Sequence, residues 1–290
     1  MRELRHLAPV TDADVPDADV VIATWWETAE WVWSLSNGKG VKVHFLQDYE
    51  TWGVAENDTQ RIDKAIGLPV PKIVIAKWVS DLLVRYFGQT PLAVIPNSVN
   101  TDQFQAAPRG KQKVVTVGFT YTTMWNKGAD VSVAAINRAR LSFPELRVVT
   151  FGNARPPRQN GLPRAAQFYF RAPEEALPQL YASCDAWLFG TRIEGFGLPI
   201  LEAMACRTPV IGTPAGAAPD LLQNGAGILV PMEDAGAMAD GIVRIARMSD
   251  QEWRVMSDAA YRQATIWPWA KAVDLFEQAL MKAAGRPNYQ

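Results

Sequence analysis

Two carboxylates, Glu194 and Glu202, stand eight residues apart across the segment E-G-F-G-L-P-I-L-E. Gly195 and Gly197 remove side chains from the turn between them and let its N–H groups face outward. Pro199 presets φ for the first turn of a helix, so a helix N-terminus points back at the loop. Such a terminus attracts anions. Glu194 lies before the turn and Glu202 about one turn into the helix, so the pair can flank a ligand whose middle is negative. Carboxylates are poor partners for phosphate and good acceptors for vicinal hydroxyls, which points to a nucleoside diphosphate sugar, one Glu gripping a hexose and the other the ribose. No cofactor is expected beyond that substrate.

The elements that must hold this loop are legible in the pattern of the chain. Short β-branched runs alternate with helical patterns, the signature of βα units in a parallel sheet. The first part offers strands at Asp19–Ala23, Val41–Leu46, Lys72–Ala76 and Leu92–Ile95. The third helical pattern, WVSDLLVRYFG, closes on Gly88. The stretch NSVNTDQFQAAPRGKQ after Pro96 loses periodicity and reads as an interdomain linker. A second series follows as KVVTV, LRVVTFG, QFYFRA, AWLFG, PVIGT and GILV, six strands that make a doubly wound domain. Helices are expected at about 234–247 and 251–263, with a last one in IWPWAKAVDLFEQALMKAA. Pro178 should start or kink the helix in PEEALPQLYASC. The expected division is 1–108 for a partial acceptor-side Rossmann-like domain with its linker, 109–265 for a donor-binding Rossmann-like domain, and 266–290 for a helix packing back on the first domain.

Composition narrows the function classes. The chain has 290 residues, 48 % apolar and 20 % charged, enough for a large core and more than one domain. With 29 Lys and Arg against 30 Asp and Glu, the net charge of −1 gives no global attraction to nucleic acid. The beginning, MRELRHLAPVTDADVPDADV, lacks a signal-peptide core, and no run approaches the ~20 apolar residues of a membrane helix, so a cytoplasmic protein is expected. Cys184 and Cys206 form neither a C-x-x-C pair nor a ligand cluster and read as small buried residues.

Glu194 and Glu202 with the intervening GFGLPIL resemble the E-x7-E motif of retaining glycosyltransferases of family 4 (glycosyl transferases group 1), which have the two-Rossmann-domain GT-B fold. VIPNSVNTDQF (Val94–Phe104) is similar to the family's entry to its donor domain, Lys127-Gly128 to its K-G, and PVIGTPAGAAPDLL to the strand and loop after the motif. The resemblance implies an α/β, GT-B fold with parallel sheets and hexosyl transfer from a nucleoside diphosphate sugar to a hydroxyl of a glycan or lipid-linked acceptor, as in polysaccharide biosynthesis. Glu194 would contact sugar hydroxyls, Glu202 the ribose, the backbone of Gly195, Phe196, Gly197 and Leu198 the sugar and phosphates, and Lys127 the leaving pyrophosphate. Gly118 would lie by the donor at the end of the first donor-domain strand, with Arg171 beside the base. No metal is then needed, and the sequence has no D-x-D motif.

Two departures stand out. Gly118 is followed by Phe119 where the family usually has Arg, and the first domain reads as shortened, with four strands and no Gly-rich loop near its start. A homo-oligomer or a partner chain is therefore an expectation, as is peripheral contact with the inner face of a membrane. The alternative function is a nucleotide-sugar-binding subunit completed by another polypeptide. In HFLQDYETW, Asp48 and Tyr49 either position an acceptor hydroxyl or form a polar loop that caps the next helix. His44 reads as a core histidine, and Trp25, Trp26, Trp31, Trp33 and Trp52 as core or interface residues rather than sugar platforms.

Overall fold

The computed structural model describes residues 9–51, 55–157 and 161–286. The chain forms two compact units, one built from residues 1–97 and 270–290, the other from 98–269. Trp52 lies outside the described residues.

The first unit is a parallel four-stranded sheet ordered β1 (Val20–Ala23), β2 (Val41–Leu46), β3 (Lys72–Val74), β4 (Ala93–Val94). The crossovers are α1 (Trp26–Ser34), α2 (Glu56–Gly67) and α3 (Lys77–Phe87). Gly88 ends α3 in the left-handed conformation at φ 62, as its place after the last apolar residue predicts. β3 is buried along its length, and Lys72 is only 2 % exposed. Its ammonium donates to the Leu68 and Val70 carbonyls and to Gln89 Oε1, which offsets burial, yet burial still lowers its pKa to about 8. His44 is buried, as expected of a core histidine, although its Nδ1 has no hydrogen-bond partner among the described residues, and burial pushes its pKa down to about 4. The last helix, α10 (Trp269–Ala283), rests on this unit through Phe276, whose ring meets Phe45 edge-on at 5.1 Å.

The second unit is a parallel six-stranded sheet, β5 (Thr116–Tyr121), β6 (Arg147–Gly152), β7 (Gln167–Phe170), β8 (Ala186–Phe189), β9 (Val210–Gly212) and β10 (Gly227–Leu229), in the order β10-β9-β8-β5-β6-β7. Its helices are α4 (Ala129–Ala139), α5 (Leu177–Ala182), α6 (Leu198–Ala205), α7 (Ala218–Leu221), α8 (Ala235–Arg247) and α9 (Asp250–Thr265). Pro178 sits in the first turn of α5, where a missing N–H costs nothing. The chain runs outward from β5 to β7 and returns to the other side of β5 at β8. The order therefore reverses between β5 and β8, and in a doubly wound sheet the crevice that takes a ligand is expected beyond the carboxyl ends of the strands at such a point. Two Rossmann-like parallel sheets give the expected α/β fold class.

Three local expectations are corrected. β5 begins at Thr116 rather than Lys113 and runs on through Gly118 to Tyr121. Buried Asp185 explains the late start: its carboxylate takes the N–H groups of Gln112 and Thr116, each at 2.8 Å, before the ladder forms. Gly118 therefore lies inside a buried strand rather than at a loop. A Cβ there would stand 2.2 Å from the Trp187 ring and 2.8 Å from Cys184 Sγ, so packing accounts for this glycine. The segment read as a linker is docked on the second unit. Phe104 is buried with its ring 6.2 Å from Tyr181, and Arg109 lies 4.4 Å over the face of Trp253 while donating to Thr208 Oγ1 at 3.0 Å.

Candidate functional site

Lys127 and Glu194 meet at the switch point. The loop after β5 ends in a 3₁₀ turn, Trp125–Lys127, and Gly128 follows at φ 60 to start α4. A Cβ on Gly128 would stand 1.8 Å from the Gly190 carbonyl oxygen, so the chain leaving β5 crosses the chain leaving β8 at backbone contact. The Asn126 carbonyl accepts from the Arg192 N–H at 2.8 Å and from the Ile193 N–H at 3.3 Å, which ties the two loops together. Lys127 Nζ then donates to Glu194 Oε2 at 2.8 Å, with the two side chains 34 % and 17 % exposed. A cation and an anion are thus presented side by side at the mouth of the crevice.

The turn between the two Glu residues behaves as its glycines require. Gly197, at φ 103, sits at the N-cap of α6, which no side chain caps, and Pro199 lies in the first turn. Leu198 is exposed, whereas Gly195 and Phe196 are buried. The loop after β9 lies over this turn. Ala217 N–H donates to the Phe196 carbonyl at 2.9 Å, and Gly216, at φ 60, comes so near that a Cβ would stand 2.6 Å from that oxygen.

Glu202, half-buried on α6, accepts a hydrogen bond from the Tyr181 hydroxyl at 2.7 Å. Burial raises the Glu202 pKa and the Tyr181 bond opposes that rise by favouring the carboxylate. Tyr181 is fully buried, and burial together with the Glu202 charge holds its hydroxyl far above its ordinary value. The ring is fixed by Trp187 at 4.4 Å and Phe151 at 5.6 Å. One bond leaves a carboxylate with capacity for a further donor, such as a vicinal hydroxyl.

The other expected residues make contacts of their own. Arg171 follows edge strand β7 at φ 50, donates its N–H to the Gly152 carbonyl at 2.8 Å, and lays its guanidinium 5.2 Å over Phe170. Asp48 and Tyr49 follow β2 in the first unit. Asp48 Oδ1 accepts from the Tyr49 N–H at 2.8 Å, and the Tyr49 hydroxyl donates to Asp63 Oδ1 on α2 at 2.7 Å. Burial and Asp63 push that hydroxyl up to about 12. The loop braces the side of α2, and the one proton of Tyr49 is engaged there. Next to it, Glu50 is 5 % exposed, accepts from the Trp26 N–H at 3.1 Å, and has its pKa pushed up by burial to about 7.

Sequence reasoning missed Tyr181 and Arg192. Arg192 adjoins the motif and is 8 % exposed. It donates through Nη1 to the Trp125 carbonyl (2.6 Å) and Asp130 Oδ1 (2.9 Å), through Nη2 to Asp130 Oδ2 (2.7 Å) and Glu233 Oε2 (2.9 Å), and through Nε to Glu233 Oε1. Nothing in the spacing joins Arg192 to carboxylates 62 and 41 residues away. Among the described residues no three His, Cys, Asp or Glu side chains gather in a way that could hold a metal ion, and no helix is long and apolar enough to cross a membrane.

Residues 111–248 match the family model for glycosyl transferases group 1. O-antigen chain mannosyltransferase B of Escherichia coli is 35 % identical over 98 residues, 33 % of this chain and 25 % of that protein. D-inositol 3-phosphate glycosyltransferase of Mycobacterium tuberculosis is 30 % identical over 168 residues, 52 % of this chain and 34 % of that protein. These matches span only a quarter to a third of the relatives' own length. The structure of HepE from Anabaena in complex with UDP and glucose aligns with a TM-score of 0.76 at 18 % identity, covering 91 % of this chain and 78 % of that one, which supports the fold.

Proposed function

We propose that the chain is a retaining glycosyltransferase that moves a hexose from a nucleoside diphosphate sugar to a hydroxyl of a glycan or lipid-linked acceptor. The observation that carries this reading is the Lys127–Glu194 pair at the β5/β8 switch point, beside the uncapped N-terminus of α6. In this reading the diphosphate takes Lys127 from Glu194 and lies against the α6 terminus, where both supply positive charge to the leaving group as the glycosidic bond breaks. Released from the ammonium, Glu194 accepts from sugar hydroxyls. Glu202, oriented by Tyr181, accepts from the ribose. Attack from the same face as departure, with the leaving phosphate taking the acceptor proton, needs no protein nucleophile. HepE's bound UDP supports a nucleoside diphosphate as ligand class.

Calorimetric titration with UDP-, GDP- and ADP-sugars, paired with a transfer assay, tests the reading. Lys127→Ala should lower turnover by about 10²–10³-fold, the scale for removing one preorganised electrostatic partner. Turnover within a few-fold of wild type would refute the role given to Lys127.

A second reading, a donor-binding subunit completed by another chain, is favoured by one observation. Along β1, the edge of the described first sheet, Ile22 is exposed, and so are Trp25 and Trp33 nearby. Wild-type chain that binds a nucleotide sugar and transfers none of it would support this reading over the first.

A further inference from the structure

Arg192 is the most heavily bonded side chain near the candidate site, and its chemistry excludes the obvious role for it. A guanidinium has five N–H donors and no acceptor. All five are engaged: three with Asp130 and the Trp125 carbonyl taken together, two with Glu233. No donor remains for a phosphate, so Arg192 does not replace the cation that Phe119 displaces.

What the five bonds do is mechanical. Asp130 lies in the first turn of α4, immediately after the Lys127-Gly128 corner, and Glu233 lies in the loop after β10 at φ 60. The Trp125 carbonyl belongs to the 3₁₀ turn that ends in Lys127. The guanidinium also lies 4.9 Å over the face of Trp125, a residue 66 % exposed. The backbone adds two bonds in the same direction, from the Arg192 and Ile193 N–H groups to the Asn126 carbonyl. Every residue of the turn, 125, 126 and 127, is therefore held by residues 192–194 or by the carboxylates that Arg192 gathers.

We propose that Arg192 is a positioning residue for Lys127: its fork fixes the Trp125–Lys127 turn against the Glu194 loop and so sets the place of the ammonium in the crevice. This rests on the reading of Lys127 as the group that holds the diphosphate. The Asp130 and Glu233 side chains are 69 % and 54 % exposed, so water takes over their solvation when the guanidinium is removed. Loss of Arg192 then loosens the turn rather than the fold.

The test uses the full chain as wild type, Arg192→Gln, Arg192→Lys, Lys127→Ala and the Arg192→Gln/Lys127→Ala double variant. UDP, GDP and ADP binding is measured by calorimetry. Acylation of each lysine by an amine-reactive ester is followed by peptide mass spectrometry, with exposed Lys113 as internal reference. Arg192→Gln is expected to weaken diphosphate binding about tenfold, with no further loss when Lys127 is already Ala. It should also raise the Lys127 acylation rate several-fold relative to Lys113. Arg192→Lys, which keeps charge but lacks the planar fork, should follow Arg192→Gln on both readouts. Losses that multiply in the double variant, or an unchanged Lys127 rate, overturn the proposal. Unfolding of both Arg192 variants overturns it as well, since Arg192 would then be a determinant of the fold. If wild type binds none of the three nucleotides, the donor reading falls while the acylation rates still decide the position of Lys127.

Discussion

Replacing Gly128 by Ala should damage the second unit far more than replacing Gly225, although the two backbones are alike. Gly128 has φ 60 and Gly225 has φ 75, so each Ala suffers the left-handed conformation. That conformation costs roughly 1–2 kcal/mol for a residue with a Cβ, and the stiffer unfolded chain returns about 0.4–1 kcal/mol. Gly225→Ala has nothing within 4 Å of the new methyl and should stop there, at about 1 kcal/mol or less. Gly128→Ala adds a collision, since the Cβ falls 1.8 Å from the Gly190 oxygen and 2.5 Å from its carbon. Relief to an ordinary carbon–oxygen contact requires the two chains to part by about 1.5 Å. Both colliding groups are backbone, anchored in β5–α4 and β8, so no rotamer change absorbs the strain. Overpacking of this kind costs about 1–3 kcal/mol or more, for a total of about 2–4 kcal/mol. Urea unfolding of both variants gives the difference from the midpoints at a common slope. A Gly128→Ala midpoint no lower than that of Gly225→Ala would refute the close crossing on which the geometry of Lys127 depends.

Tyr181→Phe removes the hydrogen bond that favours the Glu202 carboxylate, so the Glu202 pKa, already raised by burial, should rise further. The acid limb of nucleoside diphosphate binding should move to higher pH, and titrations across pH 4–8 that superimpose on wild type would contradict the assignment. For Glu50, whose folded pKa of about 7 exceeds its ordinary 4.5, the native state holds more protons between those values and loses stability as pH rises through the window. Glu50→Gln should therefore raise the melting temperature at pH 8 and leave it nearly unchanged at pH 4.5. His44, lowered to about 4, contributes the opposite slope below 6.5 in both proteins, so the difference between the two melting curves isolates Glu50.

The sheet was legible because its signals are local. AWLFG, PVIGT and GILV are short apolar runs bounded by turn residues, and each became a strand within a residue or so of its expected limits. The helix start after GFG was equally readable, since Gly197 and Pro199 act through their own φ angles. Where the reading failed, a distant residue had decided. The start of β5 is set by Asp185, some seventy positions on, and the glycine at 118 by the bulk of Trp187. The apparent linker lacks periodicity because it docks through single anchors, Phe104 and Arg109, rather than along a face. Neither Tyr181 nor Arg192 carries a local signal of its role in the sequence around it. Their roles exist only once α5 lies by α6 and the β5 and β8 loops cross.

The bond between Lys127 and Glu194 also governs how an anion would arrive. With its ammonium already matched by a carboxylate, the Lys127–Glu194 pair itself adds no net charge to draw an anion from solution. An incoming diphosphate is then not drawn from beyond a Debye length of about 8–10 Å, and must meet the crevice by ordinary diffusion before the ion pair exchanges. Encounter rates should depend only weakly on ionic strength, and differences in affinity among anionic ligands should appear in how long each one stays.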